Sequence, residues 1–359
     1  MGLKYFIFKL YRKHNTRTHR LNYLFWECTQ RCNLSCRHCG SDCLKSSEVP
    51  DMPAQDFIKV LDDLKANNTA KHVTVCITGG EPLLRDDLEA VGKEIVKRGF
   101  NWGIVTNGMN LSKARLYSLM NSGLTSISFS LDGLEEQHNW LRCHPQSFEK
   151  VLNSIDLVLD FQKKYPESLS FDVITCVNNH NFDFLPQIRR LLIEKGVKMW
   201  RIFSIFNEGR AAKNNLGISK EQYKQLMDFI VQTRNFKDSQ GRSIHLNYSC
   251  EGYLGKYELK ARDYFFMCRG GINIGSVWCD GSVSGCLSIR GKDFIQGSIY
   301  KDSFMNIWNN RFQAMRDKGW TRTGKCKSCR HWKKCLGNGI HLHHGLNTEP
   351  SFCNYEQLL

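Results

Sequence analysis

The chain is predicted to be an α/β protein: a partial (β/α)6 TIM-like barrel followed by a small Cys-rich C-terminal domain. Three features point there. Short apolar runs rich in β-branched residues alternate with longer amphipathic stretches between residues 24 and 206. The first four runs lead into Cys, Gly or small polar residues, and barrels of this kind gather their chemistry at the C-terminal ends of their strands. Beyond about residue 240 apolar periodicity fades and Gly and Cys become frequent, which marks a change of domain.

Strands are expected at residues 24–28, 73–78, 103–106, 126–131, 171–177 and 200–206. Amphipathic helices are expected between them at 54–66, 87–98, 113–122, 148–164 and 184–195. The first helix has Asp51 as candidate N-cap and Pro53 near its first turn. A last helix, 221–234, leads into the Cys-rich segment, which has too little apolar sequence to hold a core unaided and calls for metal staples. The expected division is a basic extension at 1–20, the barrel at 21–240 and the C-terminal domain at 241–359.

At 359 residues the chain is long for a single core, and 41% hydrophobic with 24% charged residues is the balance of a soluble globular protein. No apolar run is long enough to span a bilayer, and no secretory segment opens the chain. Several of the 16 Cys stand at metal-type spacings, which without an export signal reads as cytoplasmic metal or cluster ligation rather than disulfides. The net charge of +15 is a weak indicator of partner, because it acts only over a Debye length of roughly 8 Å. Residues 1–20 concentrate it: Lys4, Lys9, Arg12, Lys13, Arg17 and Arg20 surround Leu3, Tyr5, Phe6, Ile7, Phe8, Leu10 and Tyr11. Two readings stand, an extension docking its aromatics on the domain and a basic amphipathic helix at the inner face of a membrane.

Cys32, Cys36 and Cys39 follow the first strand as C-x3-C-x2-C. Three thiolates on one loop hold three irons of a cubane cluster and leave the fourth open to a ligand. A zinc site more often pairs its ligands as C-x2-C and needs a fourth, so the spacing leans to iron–sulfur. The second strand ends in Thr78-Gly79-Gly80-Glu81-Pro82, where glycines without Cβ allow close approach of a ligand and Glu81 offers a carboxylate to an ammonium group. The third ends in Thr106-Asn107-Gly108 and the fourth in Ser128-Phe129-Ser130-Leu131-Asp132-Gly133.

The cluster loop followed by Gly-Gly-Glu-Pro resembles a radical S-adenosylmethionine (SAM) enzyme over roughly residues 21–240. The resemblance implies a 4Fe–4S cluster whose open iron binds the amino and carboxylate groups of SAM. Reductive cleavage then gives methionine and a 5′-deoxyadenosyl radical that abstracts hydrogen from substrate. It places Gly79, Gly80 and Glu81 on the methionine amino group and Ser130 near the ribose or carboxylate. Asn107 and Arg142 are further polar contacts, weighed against a turn residue and a surface ion pair. Thr175, Val177 and Ile205 line the adenine or are plain core.

Beyond the barrel stand Cys268, Cys286, Cys326, Cys329, Cys335 and Cys353. Asp280-Gly281 predicts a hairpin that brings Cys268 and Cys286 together. This segment resembles the SPASM extension of peptide-modifying radical SAM enzymes. By that resemblance Cys326, Cys329, Cys335 and Cys353 ligate one auxiliary 4Fe–4S cluster, and Cys268 and Cys286 belong to another. A further Cys of the usual run is replaced by Gly339. One auxiliary cluster only, a second completed by Cys250, Cys279 or one of His341, His343 and His344, and a second with an open iron all stand; zinc is the general alternative. Cys28, Cys43, Cys76, Cys143 and Cys176 receive no role, Cys76 and Cys176 reading as small buried hydrophobes.

The leading expectation is an oxidoreductase that modifies a ribosomally made peptide or protein and draws electrons from a small flavodoxin- or ferredoxin-type donor. Leu287 stands where sulfatase-maturating relatives carry an Asp base, which argues against formylglycine formation. Tetrapyrrole side-chain chemistry is the alternative within the superfamily, since its heme-type enzymes carry fewer auxiliary cysteines. A non-catalytic electron-transfer or RNA-binding cluster protein is the alternative of another class. No nucleic-acid partner is expected.

Overall fold

The computed structural model describes residues 2–205, 209–249 and 252–359. The helices are α1 (Gly2–Thr18), α2 (Ala54–Ala66), α3 (Leu88–Lys97), α4 (Lys113–Asn121), α5 (Glu135–Arg142), α6 (Ser147–Lys164), α7 (Leu185–Lys195), α8 (Arg210–Asn214), α9 (Lys220–Arg234), α10 (Phe304–Asn310), α11 (Gln313–Arg316) and α12 (Trp332–Cys335). The strands are β1 (Tyr23–Glu27), β2 (Thr74–Thr78), β3 (Asn101–Thr106), β4 (Leu124–Ser130), β5 (Ser170–Val177), β6 (Met199–Ser204), β7 (His245–Tyr248), β8 (Ile274–Val277), β9 (Ser282–Ser284) and β10 (Gly297–Ser298). They form one sheet in the order β10-β9-β8-β1-β2-β3-β4-β5-β6-β7. Strands β8 to β7 in that order are parallel, and β9 and β10 add antiparallel.

The six expected strands occupy β1 to β6, and Phe206, the expected end of the last, lies outside the described residues. Residues past 240 continue the same sheet on both sides, with β7 beside β6 and β8 beside β1. Helix α5 was not anticipated, because Glu135–Arg142 buries only His138, Leu141 and Arg142. Pro53, not Asp51, caps α2; Asp51 instead takes Arg31 and Thr29. The Asp280-Gly281 turn forms as expected between β8 and β9, with Gly281 at φ 82° and Ser282 N donating to Asp280 Oδ1 at 2.9 Å.

Both faces of the sheet carry load, which sets the strand alternation. Leu24 and Trp26 of β1 point to the helices, where Trp26 stacks on Phe57 of α2 with centroids 4.3 Å apart. Tyr23, Phe25 and Glu27 point inward. Ser126, Ser128 and Ser130 of β4, Asp172 and Ile174 of β5 and Arg201 of β6 are half-buried on that inner face, so it is polar and open along its length. On β5 the alternation puts Thr175 and Val177 in the core, both fully buried. Thr175 Oγ1 donates to Leu131 O at 2.6 Å and accepts from Trp200 Nε1 at 2.9 Å. The plain-core reading of these two is therefore the right one, and Ile174 and Cys176 face the interior instead. No described helix is long and apolar enough to cross a membrane.

Candidate active site and cluster sites

The loop after β1 is fixed by the loop after β2. Gly80 N donates to Thr29 O at 2.8 Å and Glu81 N to Arg31 O at 2.9 Å. A Cβ on Gly79 would stand 2.2 Å from Thr29 O, and one on Gly80 2.0 Å from Arg31 O. Gly79 also sits at φ 142°. The glycines are thus required by the neighbouring backbone of the cluster loop, whereas the sequence attributed them to close approach of a ligand. Gly80→Ala is expected to destabilise the fold by about 3 kcal/mol or more, since both clashing partners are backbone. A urea midpoint and iron content, both falling together, check it.

Glu81 is buried and its carboxylate ties two strand ends together. Thr106 Oγ1 donates to Oε1 at 2.7 Å, Leu83 N to Oε1 at 3.0 Å and Asn107 N to Oε2 at 2.8 Å. Burial pushes its pKa up, and these donors pull it only partly back. Three of about four acceptor directions are used internally, leaving little for an ammonium group. Asn107 combines the two readings weighed for it. Its Oδ1 accepts from Met109 N at 2.9 Å as a turn residue, and its Nδ2 reaches Asn33 Oδ1 at 2.8 Å and Cys32 Sγ at 3.8 Å. Ser130 lies half-buried at the inner end of β4, paired with Ile174.

Arg142 is buried beneath the cluster loop, so the surface ion pair is excluded. Its guanidinium holds Asp132 through Nε at 2.8 Å and Nη2 at 2.5 Å, while Nη1 stands 3.7 Å from Cys36 Sγ. Burial is the largest single influence and raises the Asp132 carboxyl, but Arg142 together with the carboxylate's other partners outweighs it and keeps the group below its ordinary pKa. Asp132 Oδ1 accepts from Cys176 N at 2.8 Å, and Asp132 N donates to His138 Nδ1 at 3.0 Å. Burial holds His138 down to about 3 and His38 to about 4, so both rings are neutral. The sequence placed Asp132 at the rim and gave it no role.

Cys32, Cys36 and Cys39 pack with Leu34, Cys43 and Met109 in one small cluster. Burial raises Cys32 to about 12 and raises Cys36 as well, whereas a hydrogen bond from Cys43 lowers Cys39. Each thiol thus has a donor of its own: Asn107 for Cys32, Arg142 for Cys36 and Cys43 for Cys39. Among the described residues, the ligating atoms converging within 4.8 Å of one another are those of His38, Asp132 and Cys176, and none of the three loop thiols is in that set. Thiols spread wider than one ion, each with a donor, fit an anionic polynuclear cluster. Gly209 and Arg210, which the sequence did not single out, clamp the loop. Arg210 N donates to Cys39 O at 3.1 Å, and its side chain donates to Cys36 O at 2.7 Å, Asp42 Oδ1 at 2.8 Å and Cys43 O at 3.0 Å.

In the C-terminal part, Cys326 feels the charges of Cys353 and Cys329, and Cys335 those of Cys353 and Cys326, so the four expected ligands converge. Leu336, Gly337 and Asn338 all have positive φ and curl around Cys335, with Asn338 N 3.1 Å from its Sγ. Cys286 feels Cys268, so the hairpin joins that pair. Cys279 does not complete it, because its thiol donates to Pro50 O at 3.1 Å under the first loop. His343 is also engaged, its ring nitrogens lying 2.8 Å from Thr348 O and 2.7 Å from Gly337 O. Cys250 lies outside the described residues.

Comparison with known proteins agrees with this arrangement. The Radical SAM superfamily model matches residues 26–192, and the SPASM iron–sulfur cluster-binding domain model matches residues 268–330. An AdoMet-dependent heme synthase of Methanosarcina barkeri is 25% identical over 335 residues, covering 87% of this chain and 89% of its own. A Fe-coproporphyrin III synthase of the same organism is 25% identical over 336 residues, covering 87% and 82%. Among solved structures, Streptococcus suis SuiB bound to S-adenosylmethionine superposes with a TM-score of 0.71 at 16% identity, covering 96% of this chain and 81% of its own. The enzyme anSMEcpe with bound AdoMet gives 0.71 at 18% identity and 94% of both chains.

Proposed function

We propose that this chain, a radical SAM enzyme with a SPASM iron–sulfur extension, modifies a peptide or protein by abstracting hydrogen from it. SAM and 4Fe–4S clusters supply the radical chemistry of such enzymes; the chain's own residues hold, orient and shield. Cys32, Cys36 and Cys39 would ligate the first cluster and the quartet ending in Cys353 an auxiliary one. Gly79, Gly80, Ser130 and Asn107 border the position expected for SAM.

The observation that carries the substrate reading is the charge balance of the inner face. Arg201 is paired with Asp172, and also donates to Ser128 Oγ at 3.0 Å. Arg290 is paired with the buried Glu27 at 2.5 Å and donates to Ser41 Oγ at 2.7 Å. Arg142 is paired with Asp132. These guanidiniums are already neutralised, so a substrate rich in carboxylates would have to displace buried acids. Hydroxyls of Ser126 and Ser130, half-buried on this face, suit the amides of a peptide. Precedent on this fold is SuiB bound to its precursor peptide SuiA. A tetrapyrrole substrate is the second reading, favoured by the names of the curated relatives at 25% identity.

The test is anaerobic turnover of the reconstituted protein with dithionite and SAM. Peptides encoded beside its gene should raise 5′-deoxyadenosine release and change mass, and iron-coproporphyrin III should do neither. Stimulation by the porphyrin alone would reverse the assignment.

A further inference from the structure

The N-terminal helix has two faces, and among the described residues only one of them is covered by the rest of the chain. Tyr5, Phe8, Arg12 and Asn15 turn toward the body of the chain. Tyr5 meets Phe265 edge-on with centroids 5.5 Å apart, and Phe8 lies 5.2 Å from the same ring. Arg12 donates to Lys334 O at 3.1 Å and Lys333 O at 2.9 Å, and Asn15 Oδ1 accepts from Asn273 Nδ2 at 3.2 Å. These contacts hold α1 against the C-terminal part at both ends of the helix.

The opposite face is apolar and bare. Leu3, Phe6, Ile7 and Leu10 follow one another at helical spacing and are 74%, 56%, 57% and 53% exposed. Side chains of this size are not left outward in a row without a reason. The charge around them is of one sign: Lys4, Lys9, Lys13, Arg17 and Arg20 flank the stripe, and residues 1–20 contain no Asp or Glu. Lys334 stands over the Tyr5 ring at 5.6 Å and extends the positive rim onto the body. Leu259 and Tyr264, both 37% exposed, add apolar surface across the groove beside Lys4.

We propose that α1 seats the enzyme on an anionic lipid bilayer, with Leu3, Phe6, Ile7 and Leu10 in the headgroup boundary and the lysines and arginines on the lipid phosphates. Asp263, the acid in the groove beside Lys4, is paired with Arg234, so an apolar stripe flanked along the helix by cations matches an acidic apolar boundary; a protein groove would have to supply both features in one place. The helix is too polar to cross the bilayer, so it lies on the surface. Its docked face fixes how the body stands over the membrane.

The cluster-loaded full chain should co-sediment with phosphatidylcholine vesicles containing roughly one quarter phosphatidylglycerol and not with pure phosphatidylcholine. Phe6→Ser with Leu10→Ser should weaken that binding about tenfold or more, as should Lys9→Glu with Lys13→Glu. These side chains are exposed, so iron content and SAM cleavage should stay unchanged. Equal binding to neutral vesicles, no binding to either, or binding unaffected by Phe6→Ser with Leu10→Ser would overturn the proposal. So would self-association in sedimentation velocity that the same substitutions abolish, which would make the stripe an interface between copies.

Discussion

Replacing Cys32, Cys36 and Cys39 together with Ala is expected to abolish release of 5′-deoxyadenosine and to leave about four irons per chain. The loss follows from removing the three expected ligands on the loop that Gly80, Arg210 and Asn107 hold in place. The residual iron follows from the C-terminal geometry. Cys326, Cys329, Cys335 and Cys353 are expected to make a complete set, whereas among the described residues the sulfur that bears on Cys286 is that of Cys268. Cys279 is turned to Pro50, and His343 is spent on backbone carbonyls. A value near eight would show that a second auxiliary cluster forms on Cys268 and Cys286. Iron and sulfide analysis of the anaerobically reconstituted variant decides between the two.

Arg142→Leu should cost about 3–5 kcal/mol at neutral pH, because it strands the buried Asp132 carboxylate. The pH dependence gives the cause away. In the native protein Asp132 titrates below its unfolded value, so the pair's contribution is present above the ordinary carboxylate pKa and is lost as pH falls through the folded one. Without Arg142 the largest influence opposing burial is gone, and the folded pKa moves above the unfolded value. The variant's deficit should then shrink as pH falls from 7 toward 5 and Asp132 takes up a proton. Urea midpoints at the two pH values measure this. Arg142→Leu combined with Asp132→Leu should recover most of the loss, while a deficit independent of pH would place the cost in packing rather than charge.

The chemistry of the first loop was legible because it is local. Three cysteines within eight residues, a Gly-Gly-Glu run at a strand end and an Asp-Gly turn each depend on neighbours in sequence, and all three lie where expected. Strand alternation was legible for the same reason. Its phase was not: residues two apart share a face whichever way the strand points, so Thr175 and Val177 could be grouped but not sent to the core. The strands that flank the expected six were hidden too, since His245–Tyr248 and Ile274–Val277 are short and acquire their strand character from β6 and β1.

The sequence by itself determined the metal chemistry, because ligand type and spacing on one loop decide what it can bind. Only the tertiary structure decided who supports it. Thr29 and Arg31 demand the two glycines, Asp132 neutralises Arg142, Cys43 hydrogen-bonds to Cys39, and Arg210 closes the loop from more than a hundred residues away. These are relations across the fold, set by close packing and by the cost of burying an unpaired charge. Neither quantity exists until the chain has folded.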